Sequence, residues 1–184
     1  MIELFERYAL AAGAQVTIVP DQAAASIIAD GADGDLKCTA AVRESYPDLI
    51  RALEASGRQV AVAEEMAEGQ ASRQDLAAAL AGGTGIVLAR AGVAETGSLV
   101  LADNALAPRL LSMLAEVCVA LLPASAILPG LDEAAVLLAE LERAGHRYVS
   151  LVTGPSRTAD IERVLTIGVQ GPRALHVIVI GEGR

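Results

Sequence analysis

Short β-rich runs alternate with helical patterns along most of this chain, and this alternation strongly limits the possible folds. Residues 15–19, 36–42 and 59–63 are β-rich, and the segments between and after them space their apolar residues as helices do. Residues 117–122 are continuously apolar, which is typical of a strand buried on both faces. A mostly parallel sheet covered by helices accounts for this order. The sequence therefore predicts an α/β fold.

The other predicted elements complete this pattern over all 184 residues. Residues 64–69 are predicted as a polar loop, and residues 85–101 as two strands joined by a tight turn. No repeat or linker divides the chain, so we expect one domain over residues 1–184, with residues 1–34 as a possible helical cap. The remaining elements are helices at 2–14, 22–29, 47–56, 72–82, 103–116, 131–144 and 158–165, and strands at 148–152 and 174–180.

Hydrophobic residues make up 53% of the chain, yet no apolar run approaches the roughly 18–20 residues that a membrane-spanning helix needs. Residues 1–7 are amphipathic and lack a basic segment followed by an apolar one, so they do not resemble a signal peptide. We therefore expect a cytoplasmic protein with no membrane span.

Charge and cysteine content exclude further classes. The net charge is −9 and no Lys/Arg cluster occurs, which argues against binding to nucleic acid. Cys38 and Cys118 are isolated, without a CxxC pair or a nearby His. This pattern predicts neither a disulfide framework nor a zinc or iron–sulfur site, and both thiols are expected in the core.

Residues 154–162 join a predicted strand to a predicted helix through a small, hydroxyl-rich turn. Gly154 allows close backbone approach, and Ser156 and Thr158 offer hydroxyl hydrogen bonds. A helix beginning at Thr158 would add unpaired N–H groups and a positive dipole, which favour an anion. The alternative is an ordinary strand–turn–helix joint with good capping, in which Asp160 only complements the helix N-terminus.

The turn Glu95-Thr96-Gly97 places a carboxylate between two apolar strands. Such a group is costly unless it is hydrogen-bonded or functional, so Glu95 is a candidate nucleophile or general base. Alternatively, Glu95 is the exposed tip of a hairpin and Gly97 supplies the positive φ that the turn requires.

Residues 168–176 hold two further candidates. Arg173 has the planar guanidinium that binds a carboxylate in a bidentate manner. His176 is a candidate acid or base, although its place in an apolar strand also fits a structural histidine. His146, beside Arg147 at a predicted helix end, fits a capping cation better than a catalytic group.

Residues 94–101, 153–162 and 168–178 together resemble the characteristic segments of the lactate-utilisation (LUD) domain family, in the same order and spacing. The resemblance is strongest over the C-terminal half of the chain. Ser98 replaces the usual Thr after Glu-Thr-Gly. Gln170 stands where the family usually has His, and this removes a titratable group, so we assign no acid–base chemistry to that turn.

The resemblance implies a three-layer αβα fold with a mostly parallel sheet, of the kind found in ribose-5-phosphate isomerase, glucosamine-6-phosphate deaminase and CoA transferases. It also implies a part in oxidising L-lactate to pyruvate. Iron–sulfur clusters would lie only in partner subunits, and this chain would hold neither cofactor nor metal. The alternative is a stand-alone enzyme or a binding protein for a phosphorylated, CoA-linked or carboxylate metabolite.

Under both of these hypotheses, Glu95 is the candidate catalytic residue, and a small carboxylate or other anion is the expected ligand. The predicted ligand contacts are Thr96, Gly97, Gly154, Ser156, Arg157, Thr158, Asp160 and Arg173.

Overall fold

The computed structural model describes residues 1–20, 23–32, 34–158, 166–167 and 171–181. None of the helices in these ranges has the length and apolar character to cross a membrane. The helices are α1 (Ile2–Ala11), α2 (Ala24–Gly31), α3 (Ala40–Ser45), α4 (Pro47–Ala55), α5 (Ala63–Glu68), α6 (Arg73–Leu80), α7 (Leu106–Leu114) and α8 (Leu131–Arg143). The strands are β1 (Gln15–Val19), β2 (Leu36–Cys38), β3 (Val60–Val62), β4 (Thr84–Leu88), β5 (Ala91–Val93), β6 (Ser98–Ala102), β7 (Val117–Pro123), β8 (Ile127–Leu128), β9 (Val149–Val152), β10 (Arg157–Thr158), β11 (Thr166–Ile167) and β12 (Ala174–Ile180).

Six strands form an all-parallel sheet in the order β1-β12-β7-β4-β2-β3. The apolar run predicted as a buried strand is β7, which pairs with β12 on one side and β4 on the other. Its side chains alternate between two cores, since Leu122 belongs to one buried cluster and Leu121 to the cluster on the opposite face. Helices cover both faces, so the predicted three-layer α/β fold is confirmed.

A second sheet has the order β8-β5-β6-β9, with β5 and β6 forming an antiparallel hairpin. One face packs against α8 through a small buried cluster that includes Val93, Val100 and Leu141. The other face, through Leu99 and Leu101, joins the large core that also contains residues of α1 and α7. Strand β9 pairs only with β6 among the described strands and therefore lies at an edge of this sheet.

Helix α1 packs against both sheets. Phe5 is fully buried in the large core, and a Cβ atom placed on Gly92 of β5 would lie 2.9 Å from the Phe5 ring. Strand β1, which follows α1, is the edge strand of the main sheet beside β12. Residues 1–34, predicted as a possible helical cap, thus contribute two helices, α1 and α2, and a strand of the main sheet.

Two local predictions in the first half of the chain were wrong. The strand predicted at residues 36–42 ends at Cys38, because Thr39 caps helix α3 and its hydroxyl accepts a hydrogen bond from the Val42 N–H at 3.3 Å. The loop predicted at residues 64–69 is helix α5, whose first turn carries two glutamates that complement the helix dipole. One of them, Glu64, accepts a hydrogen bond from the Ala40 N–H at 2.9 Å and so joins both helices.

Replacing Phe5 with Ala should lower the free energy of unfolding by about 3–5 kcal/mol, because it leaves a cavity where α1 meets both sheets. Leu10→Ala on the same helix is the matched control, since Leu10 is 50% exposed and its loss should cost far less. Urea unfolding followed by circular dichroism measures both variants. Equal losses in the two variants would contradict the central place given to Phe5.

Candidate functional site

The structure brings the three sequence motifs side by side. Strands β6 and β9 pair so that Ser98 and Thr153 meet, and their hydroxyl oxygens lie 2.6 Å apart. The Thr96 hydroxyl donates to Ser98 Oγ at 2.8 Å, which extends this chain of hydroxyls into the Glu95 turn. The Ser156 N–H donates to the Pro172 carbonyl at 3.0 Å and so links the second motif to the third. Motifs far apart in sequence therefore lie next to one another in the structure.

Gly97 and Gly154 lie directly against the C-terminal end of helix α1. Their φ angles are +66° and +74°, which L side chains rarely adopt. A Cβ atom on Gly97 would overlap the backbone of Tyr8 and Ala9, and one on Gly154 would overlap the Ala12 carbonyl. The close approach that we predicted for a ligand at Gly154 is made here by the protein's own helix.

Arg157 also contacts α1. Its Nη2 donates to the Ala12 carbonyl at 2.7 Å, and Ala12 is the C-cap residue of that helix. A cation at this position neutralises the negative end of the helix dipole. Arg157 thus holds α1 against the second motif.

The predicted helix start at Thr158 was wrong. Thr158 belongs to strand β10, which pairs antiparallel with β11, so its backbone takes part in a ladder instead of opening a helix. The rest of the predicted helix, at residues 159–165, lies outside the described residues, and so do Asp160 and Gln170. An anion cradle at this helix N-terminus therefore has no support from Thr158.

Glu95 lies at the exposed tip of the β5–β6 hairpin. Its backbone N–H donates to the Pro129 carbonyl at 3.2 Å, and its Oε1 accepts from the Leu131 N–H at 2.8 Å. Leu131 opens helix α8, so this carboxylate satisfies an unpaired N–H at the positive end of the helix. The carboxylate is solvent-accessible and held in place, and its catalytic role stays a prediction.

Arg173 and His176 are engaged elsewhere. The Arg173 guanidinium forms an ion pair with Glu116 at 3.0 Å, with both side chains about half exposed. His176 Nε2 lies 2.7 Å from the Thr17 hydroxyl oxygen across the β1–β12 pair, in a hydrogen bond whose donor depends on the tautomer. Burial lowers the pKa of His176 below its ordinary value.

An open cleft of about 490 Å³ lies between helix α7 and strand β9. Leu101 and Ser150 face each other across the β6–β9 ladder and form part of its floor. Ser112 and Met113 contribute to the wall on the α7 side. The opposite rim comes from the second and third motifs, namely Thr153, Gly154, Pro155, Ser156, Gly171 and Pro172.

Two arginines that are not among the predicted site residues also line this cleft. The Arg109 guanidinium carbon lies 3.6 Å from the centre of the Tyr148 ring, and Arg147 precedes that tyrosine. Arg109 lies in a helix that we recognised only by its apolar face, and Arg147 was considered only as a neighbour of His146. Their proximity to one cleft depends on the pairing of β6 with β9, which no local pattern reveals.

Both cysteines are buried in the core, as expected. Burial raises the pKa of Cys38 to about 11 and that of Cys118 to about 12. An iron–sulfur cluster is usually held by about four thiolates, whereas the two cysteines of this chain lie in different buried clusters on opposite faces of the main sheet. In the described part of the chain, no three His, Cys, Asp or Glu side chains cluster in a way that would hold a metal ion. The cysteines therefore do not fit an iron–sulfur cluster.

A family model described as the LUD domain matches residues 2–180. Lactate utilization protein C 1 of Bacillus mycoides (strain KBAB4) is 38% identical over 110 residues, which cover 58% of this chain and 47% of that protein. The uncharacterized protein YkgG of Escherichia coli (strain K12) is 38% identical over 99 residues, covering 52% and 43% of the two chains. The matched stretches thus span about half the length of these curated relatives.

The fold itself has a solved counterpart. The crystal structure of a DUF162 family protein from Deinococcus radiodurans superposes with a TM-score of 0.69, over 98% of this chain and 96% of that one. At 21% sequence identity, this similarity establishes the shared fold and nothing finer.

Gly97→Ala and Gly154→Ala should both destabilise the protein more than Gly145→Ala. All three glycines have positive φ and share the conformational penalty, but a Cβ on Gly145 meets no atom within 4 Å, whereas the other two meet the α1 backbone. We expect an additional loss of about 1–3 kcal/mol at Gly97 and Gly154, measured by urea unfolding. Three equal losses would show that the packing of α1 on these loops contributes nothing.

The lowered pKa of His176 predicts a pH-dependent stability. Between the folded pKa and the ordinary value of 6.5, the folded protein binds fewer protons than the unfolded chain. The contribution of His176 to the free energy of unfolding is therefore fully present above pH 6.5 and is lost as the pH falls toward the folded pKa. When the pH is lowered from about 7.5 to about 5, the urea concentration at the unfolding midpoint should decrease more for the wild type than for His176→Gln. An equal fall in both proteins would refute the role of this histidine.

Proposed function

The chain belongs to the LUD domain family, and from this premise we propose that it is a component of an L-lactate utilisation system. In this proposal lactate is oxidised to pyruvate with iron–sulfur partner subunits, which carry the electrons. The observation that carries the proposal is the 33–38% identity to proteins named lactate utilization protein C 1 and lactate utilization protein C, from Bacillus mycoides and Geobacillus kaustophilus.

The chemistry of the chain supports a role without redox cofactors of its own. Its two cysteines are buried in different clusters on opposite faces of the main sheet, so they do not form the ligand set of an iron–sulfur cluster. Electrons removed from lactate would therefore have to pass to a cofactor on another subunit. The contribution of this chain would be to bind a ligand, a partner subunit or both.

A second candidate function is supported by the cleft. This candidate is a stand-alone enzyme or binding protein for a phosphorylated, CoA-linked or carboxylate metabolite. Such a protein needs a cavity with cationic groups, and the cleft is a cavity lined by Arg109 and Arg147. In this alternative Glu95, exposed and fixed at the start of α8, is the general base or nucleophile, although it does not line that cleft. The two candidates differ in whether turnover requires other subunits.

Deletion of the encoding gene in its native host should abolish or strongly slow growth on L-lactate while leaving growth on pyruvate unchanged. Pyruvate is the matched control because it enters metabolism after the proposed oxidation step. Growth is measured as a rate in minimal medium, with the wild-type gene restored as a second control. Unimpaired growth of the deletion strain on lactate would refute the proposal.

Two further arms separate the candidates. Affinity purification of the full chain from lactate-grown cells should recover proteins that contain iron and acid-labile sulfide, and a metal-free preparation would count against iron–sulfur partners. Restoring the gene with Glu95→Gln tests the catalytic assignment, because Gln keeps an oxygen to accept from the Leu131 N–H but cannot act as a base. Full restoration of lactate growth would end that role for Glu95.

A further inference from the structure

We propose that the cleft between α7 and β9 is a binding site for an organic acid, a molecule with one carboxylate and an apolar body. The carboxylate would lie at Arg109 and Arg147, and the apolar body would run along the cleft toward Pro155 and Pro172. This inference rests on the second candidate function above, since it names the ligand class of the same cleft, and it is independent of the role in lactate utilisation.

The first support is the electrostatic state of the two arginines. Within the described residues, Arg109 and Arg147 form no ion pair with a carboxylate, a state that they share with most of the other arginines there. Both arginines line the same cleft, together with Asp103, in a chain of net charge −9. Guanidinium groups bind carboxylates through paired, charge-assisted hydrogen bonds.

The second support is that Arg109 is already positioned. Its guanidinium carbon lies 3.6 Å from the centre of the Tyr148 ring, a stacked geometry that restricts the side chain. A guanidinium held in this way loses less conformational freedom when a ligand arrives. The residue is half-buried between helix and strand, which reduces the screening of its charge by solvent.

Asp103 is the carboxylate that lines the same cleft. Burial raises its pKa, while the positive charges of Arg90 and His146 act in the opposite direction. Burial is the larger influence, and within the described residues Asp103 forms no ion pair with Arg109 or Arg147.

The third support is the apolar lining and the size of the cleft. Met113 is 53% exposed and borders the cleft, and a ligand seated there would cover it. Pro155 and Pro172 add apolar surface on the opposite rim. A cleft of about 490 Å³ falls in the range of ligand pockets, and a three-carbon acid would fill only a small part of it. The site therefore favours an acid with a longer apolar body.

The test is an NMR titration of the purified full chain with hexanoate, hexan-1-ol, L-lactate and inorganic phosphate at constant ionic strength. Hexanoate should shift the amide signals of residues 109–113 and 148–153, and it should bind more tightly than the other three probes. Arg109→Ala and Arg147→Ala should each weaken hexanoate binding about tenfold or more, because each removes charge-assisted hydrogen bonds. Arg109→Lys, which keeps the charge and loses the planar fork, should fall between wild type and Arg109→Ala.

The matched control is Arg7→Ala. Arg7 also lies over a tyrosine ring, 5.0 Å from the centre of Tyr8, but it does not line the cleft. The Arg7→Ala variant should bind hexanoate with the affinity of the wild type. Circular dichroism spectra are used to check that each variant is folded. Absence of shifts with hexanoate, equal affinity in the Arg109 and Arg7 variants, or tighter binding of phosphate than of hexanoate would each overturn the proposal. None of these outcomes depends on partner subunits or on growth on lactate.

Discussion

The packing of helix α1 against two glycines is the contact on which the arrangement of the motifs depends. Gly97 lies in the β5–β6 turn and Gly154 follows β9, and both have the positive φ and the missing Cβ that let the α1 backbone approach. Arg157 adds a hydrogen bond to the last turn of the same helix. Since Phe5 anchors α1 in the core shared with the main sheet, one helix sets the position of the second sheet relative to the first.

Helix ends account for several of the charged motif residues. Glu95 accepts a hydrogen bond at the N-terminus of α8, and Arg157 donates one at the C-terminus of α1. Each charge therefore complements the end of a helix dipole that carries the opposite sign. Arg173 forms an ion pair with Glu116. The motifs that mark the family thus make many internal contacts, and the cationic groups at the cleft come from α7 and from the residue before Tyr148 instead.

The sequence predicted the fold well where local patterns and burial agree. The apolar run of β7, the amphipathic pattern of α8, and Pro47 at the start of α4 all indicated the element that the structure contains. Errors occurred where a few residues could serve two states. Residues 40–42 are apolar enough for a strand, but the Thr39 cap makes them helical, and Thr158 joins a strand ladder whose partner lies further along the chain.

The sequence alone determined the α/β class, the family and the buried, isolated state of both thiols, because these follow from periodicity, motif order and the spacing of two residue types. Tertiary structure alone decided which side chains share a site. Arg109 and Tyr148 stack only because β6 pairs with β9, and Gly154 requires its glycine only because the end of α1 lies against it. Such contacts depend on how distant segments pack, and the free energy of packing is a property of the whole core, which no local pattern contains.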